Sequence, residues 1–136
     1  MNTDSQQTEG TNFSATTALC LAAITMVGID GDFQEQELNR LRSFIRSDEM
    51  AFLKAFEFYN THPLETCLHI VAAKLTAEQK QATYVVLNSL VSADGRIAPE
   101  EIQLLQQYAQ KFNFSVDTRT TLQNRLFTPN ILNIFD

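Results

Sequence analysis

The pattern Asp-Gly, five residues, Glu occurs twice and is the strongest candidate for chemistry in this sequence. Its carboxylates are Asp30 and Glu37 in the first copy, and Asp94 and Glu101 in the second. The second half of an EF-hand calcium loop has the same spacing, with an apolar residue two positions after the glycine. Carboxylate oxygens are the ligands that hard divalent cations prefer. The four residues are therefore candidate metal ligands, for Ca²⁺ or Mg²⁺.

The first half of an EF-hand loop is missing from both copies. The positions that would carry its opening oxygen ligands hold Met26 and Gly28 in one copy, and Leu90 and Ser92 in the other. Because Ca²⁺ takes about six to eight oxygen ligands, water or the other copy would have to complete each site. The sequence therefore disfavours a conventional EF-hand.

The same residues also have a purely structural interpretation, which needs no ion. Gly31 and Gly95 can adopt the left-handed conformation that ends a helix, and aspartate side chains accept backbone N–H groups in turns. With Ala98 as the cap of the next helix, Glu101 lies at its third position, where the carboxylate can accept a hydrogen bond from the cap N–H. Glu37 has the corresponding place in the first copy. Both interpretations stay open at this level.

Apolar residues at helical spacing predict that helices position these turns, and no strand pattern competes with them. The turns at 30–31 and 94–95 each follow a strongly apolar helix and precede an amphipathic one. The expected helices run from a cap at Ser14 to Gly28, over about 35–46, from a cap at Ser47, from Pro63 to Lys74, from a Thr76–Gln79 capping box to Ser92, from Pro99, and from a cap at Ser115 to about Thr128. The apolar tail 131–135 is expected to pack back on them.

An internal repeat relates the two turns. Shifting the chain by 64 residues places 18–45 on 82–109, with six identical positions. The identical pairs are Ala18/Ala82, Val27/Val91, Asp30/Asp94, Gly31/Gly95, Glu37/Glu101 and Leu41/Leu105. We therefore expect an all-α fold of about seven helices in one compact bundle, with two helical hairpins related by a pseudo-two-fold axis around buried central helices. Phe33 and Ile97 should then both be buried.

Composition sets the class of protein. The chain has 136 residues, 44% of them apolar, which suits one domain over 13–136 after a disordered polar tail at 1–12. The net charge is −6 and no run of Lys and Arg occurs, so nucleic acid is not an expected partner. The apolar stretch 18–29 is too short to cross a bilayer, and no membrane insertion is expected. We expect a cytoplasmic protein, with Cys20 and Cys67 as buried free thiols.

The remaining polar and aromatic residues favour structure over catalysis. Glu65 and His69 are four residues apart on a predicted helix, a spacing more typical of a surface pair than of a metal site. Cys67 and His69 face different ways on that helix, so they do not form a catalytic pair. The sequence contains no phosphate-binding loop, nucleophile elbow or dinucleotide fingerprint. Phe52, Leu53, Phe56 and Tyr59 form an apolar stripe, and the aromatic cluster Phe52, Phe56, Phe58 and Tyr59 is expected in the core. The alternative is that part of this cluster forms an exposed partner groove, since Phe58 lies off the stripe.

With these paired hairpins, the chain resembles the TerB-like family, helical domains named from tellurite-resistance proteins. The likeness rests on ADGRIAPEE at 93–101 and on IDGDF at 29–33 with Glu37, and it covers about residues 14–128. The first copy departs from the family's usual Ala-Asp-Gly because Ile29 precedes its aspartate. The resemblance implies an all-helical, pseudo-two-fold domain with no enzymatic reaction.

The resemblance also implies a divalent-cation site near the two turns. It carries over to Asp30, Glu37, Asp94 and Glu101, with Asp32 and Glu100 as weaker additions. The function that it implies is a non-enzymatic role in stress response, tellurite resistance or metal homeostasis. The alternative is a protein–protein adaptor that works through an apolar helix face and has purely structural turns. Its partner would be another protein or a second copy of the chain.

Overall fold

The computed structural model describes residues 13–29, 39, 41–42, 48–92, 98–125 and 128–135, and every structural statement below concerns these residues. This part of the chain is all-α and contains no strand. Asn39, Leu41 and Arg42 are helical. The longer elements are α1 (Ala15–Gly28), α2 (Glu49–Thr61), α3 (Leu64–Lys74), α4 (Ala77–Ser92), α5 (Pro99–Lys111), α6 (Val116–Gln123) and a C-terminal 3-10 helix (Pro129–Phe135).

Helix α1 is the centre of the fold. It begins at the predicted cap, where Ser14 Oγ accepts a hydrogen bond of 3.1 Å from the N–H of Thr17. Every residue from 17 to 28 is buried, because α1 is apolar on all faces and packs against α2, α3 and α4.

Helix α4 is the central helix of the second half. It packs against α1 and is covered by α5, α6 and the 3-10 helix. The predicted capping box opens it. The N–H of Gln79 donates to Thr76 Oγ1 at 3.2 Å, and the N–H of Thr76 donates to Gln79 Oε1 at 2.9 Å. Each half of the described chain therefore wraps its helices around one central helix.

The 64-residue repeat extends further than the sequence identities suggested. In α3 the buried residues occupy positions 67, 68 and 71. The same offset leads to positions 131, 132 and 135 of the 3-10 helix, and all three residues there are buried as well. The predicted packing of the tail against the bundle is confirmed. The counterpart of α3 is thus the 3-10 helix, although the two differ in helix type.

Helix α2 differs from its sequence-based description. Its cap is Asp48, whose Oδ1 accepts a 3.2 Å hydrogen bond from the N–H of Ala51, so the predicted cap at Ser47 is wrong by one residue. Its buried face is also rotated by one residue. Phe58 is buried, whereas Leu53 is 54% exposed. The small residues Ala51 and Ala55 explain this, because they let α2 lie close against α1.

The end of α6 and the buried face of α5 also differ from the sequence-based predictions. Helix α6 ends at Gln123 and not near 128, since the N–H of Asn124 closes its last turn on the carbonyls of Thr120 and Leu122. In α5, the spacing of Ile102 with Leu105 and Tyr108 predicts that it faces the core, but Ile102 is 44% exposed and Leu104 is buried instead. The predictions for Phe33 and Ile97 lie outside the described residues.

Candidate functional site

The predicted metal ligands fall mostly outside the described residues. Asp30, Glu37 and Asp94 lie outside them, and the role of these three residues as cation ligands therefore stays a prediction from the sequence. Glu101 is described, half-buried in the first turn of α5.

Glu101 takes the capping geometry that the sequence predicts. Ala98 is the cap of α5, with extended backbone angles, and Pro99 is the first helical residue. The N–H of Ala98 donates to Glu101 Oε1 at 3.1 Å. Alanine has no side-chain acceptor to return that bond, and the N–H of Glu101 instead donates to the carbonyl of Ala98 at 3.0 Å. The glutamate thus fixes the point at which the chain enters α5.

This cap does not by itself prevent Glu101 from coordinating a cation. A carboxylate has two oxygens with about four lone-pair directions, and the Ala98 hydrogen bond uses one of them. The cap also fixes the side chain, so its orientation is set before any ion arrives. The geometry at Glu101 is therefore compatible with both interpretations of the turn.

The entry to the first turn is held by a neighbouring helix. Tyr59, on α2, donates from its hydroxyl to the carbonyl of Gly28 at 3.4 Å, at the last residue of α1. Gly28 is buried and Ile29 half-buried. At the same repeat position in the second half, α4 ends at Ser92, one residue after the buried Val91. The two central helices therefore end at equivalent positions.

No group of three or more His, Cys, Asp or Glu side chains in the described ranges is arranged to hold a metal ion.

The two cysteines are buried free thiols, as predicted. Burial raises the pKa of Cys20 from its ordinary value of 9.0 to about 12, and the nearby Asp48 carboxylate adds to this rise. Burial raises the pKa of Cys67 to about 11. Because the thiolate is the reactive form of cysteine, both thiols are poor nucleophiles near neutral pH.

A buried hydrogen-bond chain joins the two halves. Thr25, on α1, donates from Oγ1 to the carbonyl of Ala22 at 2.6 Å. Since that uses its one proton, the hydroxyl of Tyr108 on α5 donates to Thr25 Oγ1, at 2.7 Å. Burial raises the pKa of Tyr108 well above its ordinary value. This contact was not predictable from the sequence, because the two residues lie 83 positions apart on different helices.

The two histidines lie in different surroundings. Glu65 does not pair with His69 along α3; it forms a 2.7 Å ion pair with Lys111 on α5. His69 is exposed, while Cys67 is buried, so the two residues face different ways as predicted. The His62 ring stacks on Phe58, with 3.8 Å between ring centroids.

The comparisons with known proteins agree with the helical architecture. The model of the family described as "Tellurite resistance protein TerB" matches residues 14–124. No curated protein and no solved structure gives a significant match. Among the described helices, none has the length and apolar character required to span a membrane. The family match covers most of the chain, from the cap of α1 to the end of α6, and the chain therefore belongs to the TerB family.

Proposed function

We propose that this TerB-family domain is a non-enzymatic cation-binding domain, acting in the cytoplasm in stress response, tellurite resistance or metal homeostasis. Asp30 and Glu37 would supply the carboxylates at one turn, and Asp94 and Glu101 those at the other. The observation that carries the proposal is the position of Glu101. Glu101 is half-buried and its carboxylate is fixed at the entry to α5, seven residues along the sequence from the predicted partner Asp94.

A fixed carboxylate is well suited to a hard cation. Ca²⁺ and Mg²⁺ bind oxygen ligands, and ligands that are already oriented lose little conformational entropy on binding. The expected site has few protein ligands, and water would complete it. Weak, fast-exchanging binding is the expected behaviour.

A role without catalysis is supported by the state of the buried nucleophiles. Cys20 and Cys67 keep their protons near neutral pH because burial raises the pKa of both thiols. Their burial as free thiols also suits a reducing compartment. The net charge of −6 favours cations and basic partners over nucleic acid.

The test separates the capping role of Glu101 from a ligand role. Glu101→Gln removes the charge but keeps an oxygen that accepts from Ala98, as Gln79 does for Thr76 in the other capping box. Glu57→Gln is the charge-matched control, since it removes an equal charge at an exposed position of α2 that is not among the candidate ligands. Both variants and the parent chain are titrated with Ca²⁺ and with Mg²⁺ and followed by amide NMR.

We expect saturable shifts around residues 29–38 and 93–101 in the parent chain and in Glu57→Gln. Glu101→Gln should keep the melting temperature and lose about tenfold in affinity at the second turn, the equivalent of about 1.4 kcal/mol. Shifts spread over the whole chain, or none at all, would remove the cation role. Unchanged affinity in Glu101→Gln would leave this residue a cap only.

The second candidate function is an adaptor, and a patch on α2 favours it. Met50 and Leu53 are 72% and 54% exposed and lie one helical turn apart. Exposed apolar neighbours of this kind are typical of contact surfaces. The partner would be another protein or a second copy of this chain. Light scattering with and without EDTA tests it. A dimer that survives EDTA and is lost in Leu53→Lys supports the adaptor, and a monomer throughout excludes the homodimer.

A further inference from the structure

A cavity of about 420 Å³ lies beside the first two turns of α4. The segment after α6 and the C-terminal 3-10 helix form its other sides. Its volume falls within the range of pockets that take small organic molecules, about 300–1,000 Å³. It is distant in sequence from the acidic turns, and the cation proposal makes no use of it.

Two opposite charges line the cavity from different elements. Glu78 lies in the first turn of α4, and Arg125 follows the end of α6. Neither the Glu78 carboxylate nor the Arg125 guanidinium makes an ion pair or a side-chain hydrogen bond within the described part of the chain. The cavity therefore offers one anionic and one cationic group, and each has its hydrogen-bonding capacity available for a ligand.

The rest of the lining includes an apolar surface. Ala82 and Ile131 are buried beneath the cavity, whereas Ile134 is 41% exposed beside it. An apolar group in the cavity would cover Ile134 and remove its side chain from water. Burial of apolar surface of this kind favours binding.

The start of the central helix is covered differently in the two halves of the molecule. Phe13 precedes α1, is 4% exposed, and its ring centroid lies 5.2 Å from that of Phe58 at the end of α2. The 64-residue offset leads from Phe13 to Ala77, which is exposed in the first turn of α4. The Phe13 ring therefore packs beside the start of α1, whereas its counterpart Ala77 contributes only a methyl group at the start of α4.

We propose that this cavity binds a free α-amino acid with a large apolar side chain. The Arg125 guanidinium pairs with the ligand carboxylate, which it can hold through two parallel hydrogen bonds. The Glu78 carboxylate pairs with the ligand ammonium group. The apolar side chain of the ligand lies against Ile131 and Ile134.

The pairing of Glu78 with an ammonium group distinguishes a free amino acid from other ligands that carry a carboxylate. The last residue of a partner polypeptide would bring a carboxylate and a side chain but an amide in place of the ammonium group. It would pair with Arg125 and leave the exposed Glu78 carboxylate in water, and it would therefore gain one charge-assisted pair fewer than a free amino acid. The unpaired glutamate therefore favours the free amino acid over a peptide end.

The experiment is an amide NMR titration of the full chain in EDTA with L-phenylalanine as the probe. N-acetyl-L-phenylalanine keeps the carboxylate and removes the ammonium charge. L-phenylalaninamide keeps the ammonium charge and has a neutral carboxamide in place of the carboxylate. EDTA makes the result independent of the cation proposal, since a failure here leaves that proposal untouched.

We expect saturable shifts from L-phenylalanine confined to residues 78–82, 125 and 128–134. Each analogue should bind about ten- to hundredfold more weakly, because each lacks one charge-assisted pair. Arg125→Gln and Glu78→Gln should weaken L-phenylalanine by a similar factor. The charge-matched controls Lys74→Gln and Glu49→Gln lie away from the cavity and should bind as the parent does.

Three results would overturn the proposal. They are the absence of saturable shifts, shifts centred elsewhere in the fold, and equal binding of L-phenylalanine and its N-acetyl form. The last result would assign the cavity to carboxylates in general, including peptide ends. Melting temperatures of the four variants accompany the titrations, so that a loss of binding is separated from a loss of fold.

Discussion

The two halves of the molecule cover their central helices to different depths. In the first half, α2 buries four side chains against α1, two of them phenylalanines at positions 52 and 58. In the second half, α6 is shorter and buries Leu122 alone. Where α1 is buried without a break from 17 to 28, α4 is half-buried at 81 and again over 88–90. The repeat has thus kept its layout while its packing has diverged, and the cavity lies in the less densely covered half.

The largest expected effect compares two residues at the same repeat position. Phe52 on α2 is 4% exposed, and its counterpart Val116 on α6 is 73% exposed. We expect Phe52→Ala to lower the free energy of unfolding by about 3–5 kcal/mol, because it leaves a cavity in the core. Val116→Ala should change it by less than about 0.5 kcal/mol. Urea unfolding followed by circular dichroism measures both. Comparable costs would mean that the two halves are equally well packed.

A smaller effect is expected at two buried threonines. Thr25 is hydrogen-bonded to Tyr108, whereas the hydroxyl of Thr83 has no hydrogen-bond partner within the described residues. Thr25→Val should cost about 1–3 kcal/mol, since it leaves the Tyr108 hydroxyl buried without an acceptor. Thr83→Val should be neutral or stabilising by up to about 1 kcal/mol, since it replaces an unpaired buried oxygen with a methyl group.

The same urea experiment decides between these outcomes, and Tyr108→Phe completes a double-mutant cycle with Thr25→Val. A coupling energy near zero would show that the Thr25–Tyr108 contact does not hold the two halves together. Equal costs for the two Thr→Val variants would contradict the difference in their hydrogen bonding.

The third expected effect is a loss of stability at alkaline pH, which is absent at neutral pH. Both thiols lie in the first half, and the fold raises the pKa of Cys67 from 9.0 to about 11. The folded chain therefore holds more protons than the unfolded chain between these values, so that stability falls as the pH rises from about 9 to 11. Melting temperatures of the parent chain and of Cys67→Ala, measured from pH 7 to 11, should converge with rising pH. A constant difference between them would show that Cys67 does not contribute to the alkaline loss of stability.

The parts of the fold that depend on local chemistry were predictable from the sequence. Helix caps at Ser14, Thr76 and Ser115 are confirmed, because each is a short-range contact between a side chain and a backbone amide three residues on. The position of Glu101 relative to Ala98 follows from the same rule. The all-α fold and the family were predictable because apolar spacing and two short motifs carry them.

Features set by packing between distant segments were not predictable. Phe58 and Leu53 both lie near the edge of an apolar stripe, and the small residues Ala51 and Ala55 decided which of them is buried. The Thr25–Tyr108 hydrogen bond joins residues 83 positions apart, and the Lys111–Glu65 ion pair joins residues 46 apart. The cavity between α4 and the 3-10 helix likewise depends on how far the tail folds back. Local spacing contains no information on any of these.

The contacts of the C-terminal 3-10 helix bring the first and last parts of the described region together. Thr16 Oγ1, in the first turn of α1, donates to the carbonyl of Phe135 at 3.4 Å, and Gln79 Nε2 donates to the carbonyl of Ile134 at 2.9 Å. Chains whose extremities adjoin tolerate circular permutation and insertion into the loops of other proteins. A permuted version, with a short linker from 135 to 13 and new termini between α3 and α4, would keep all the helices intact. The same geometry would allow this domain to be carried as a compact insert within a larger host.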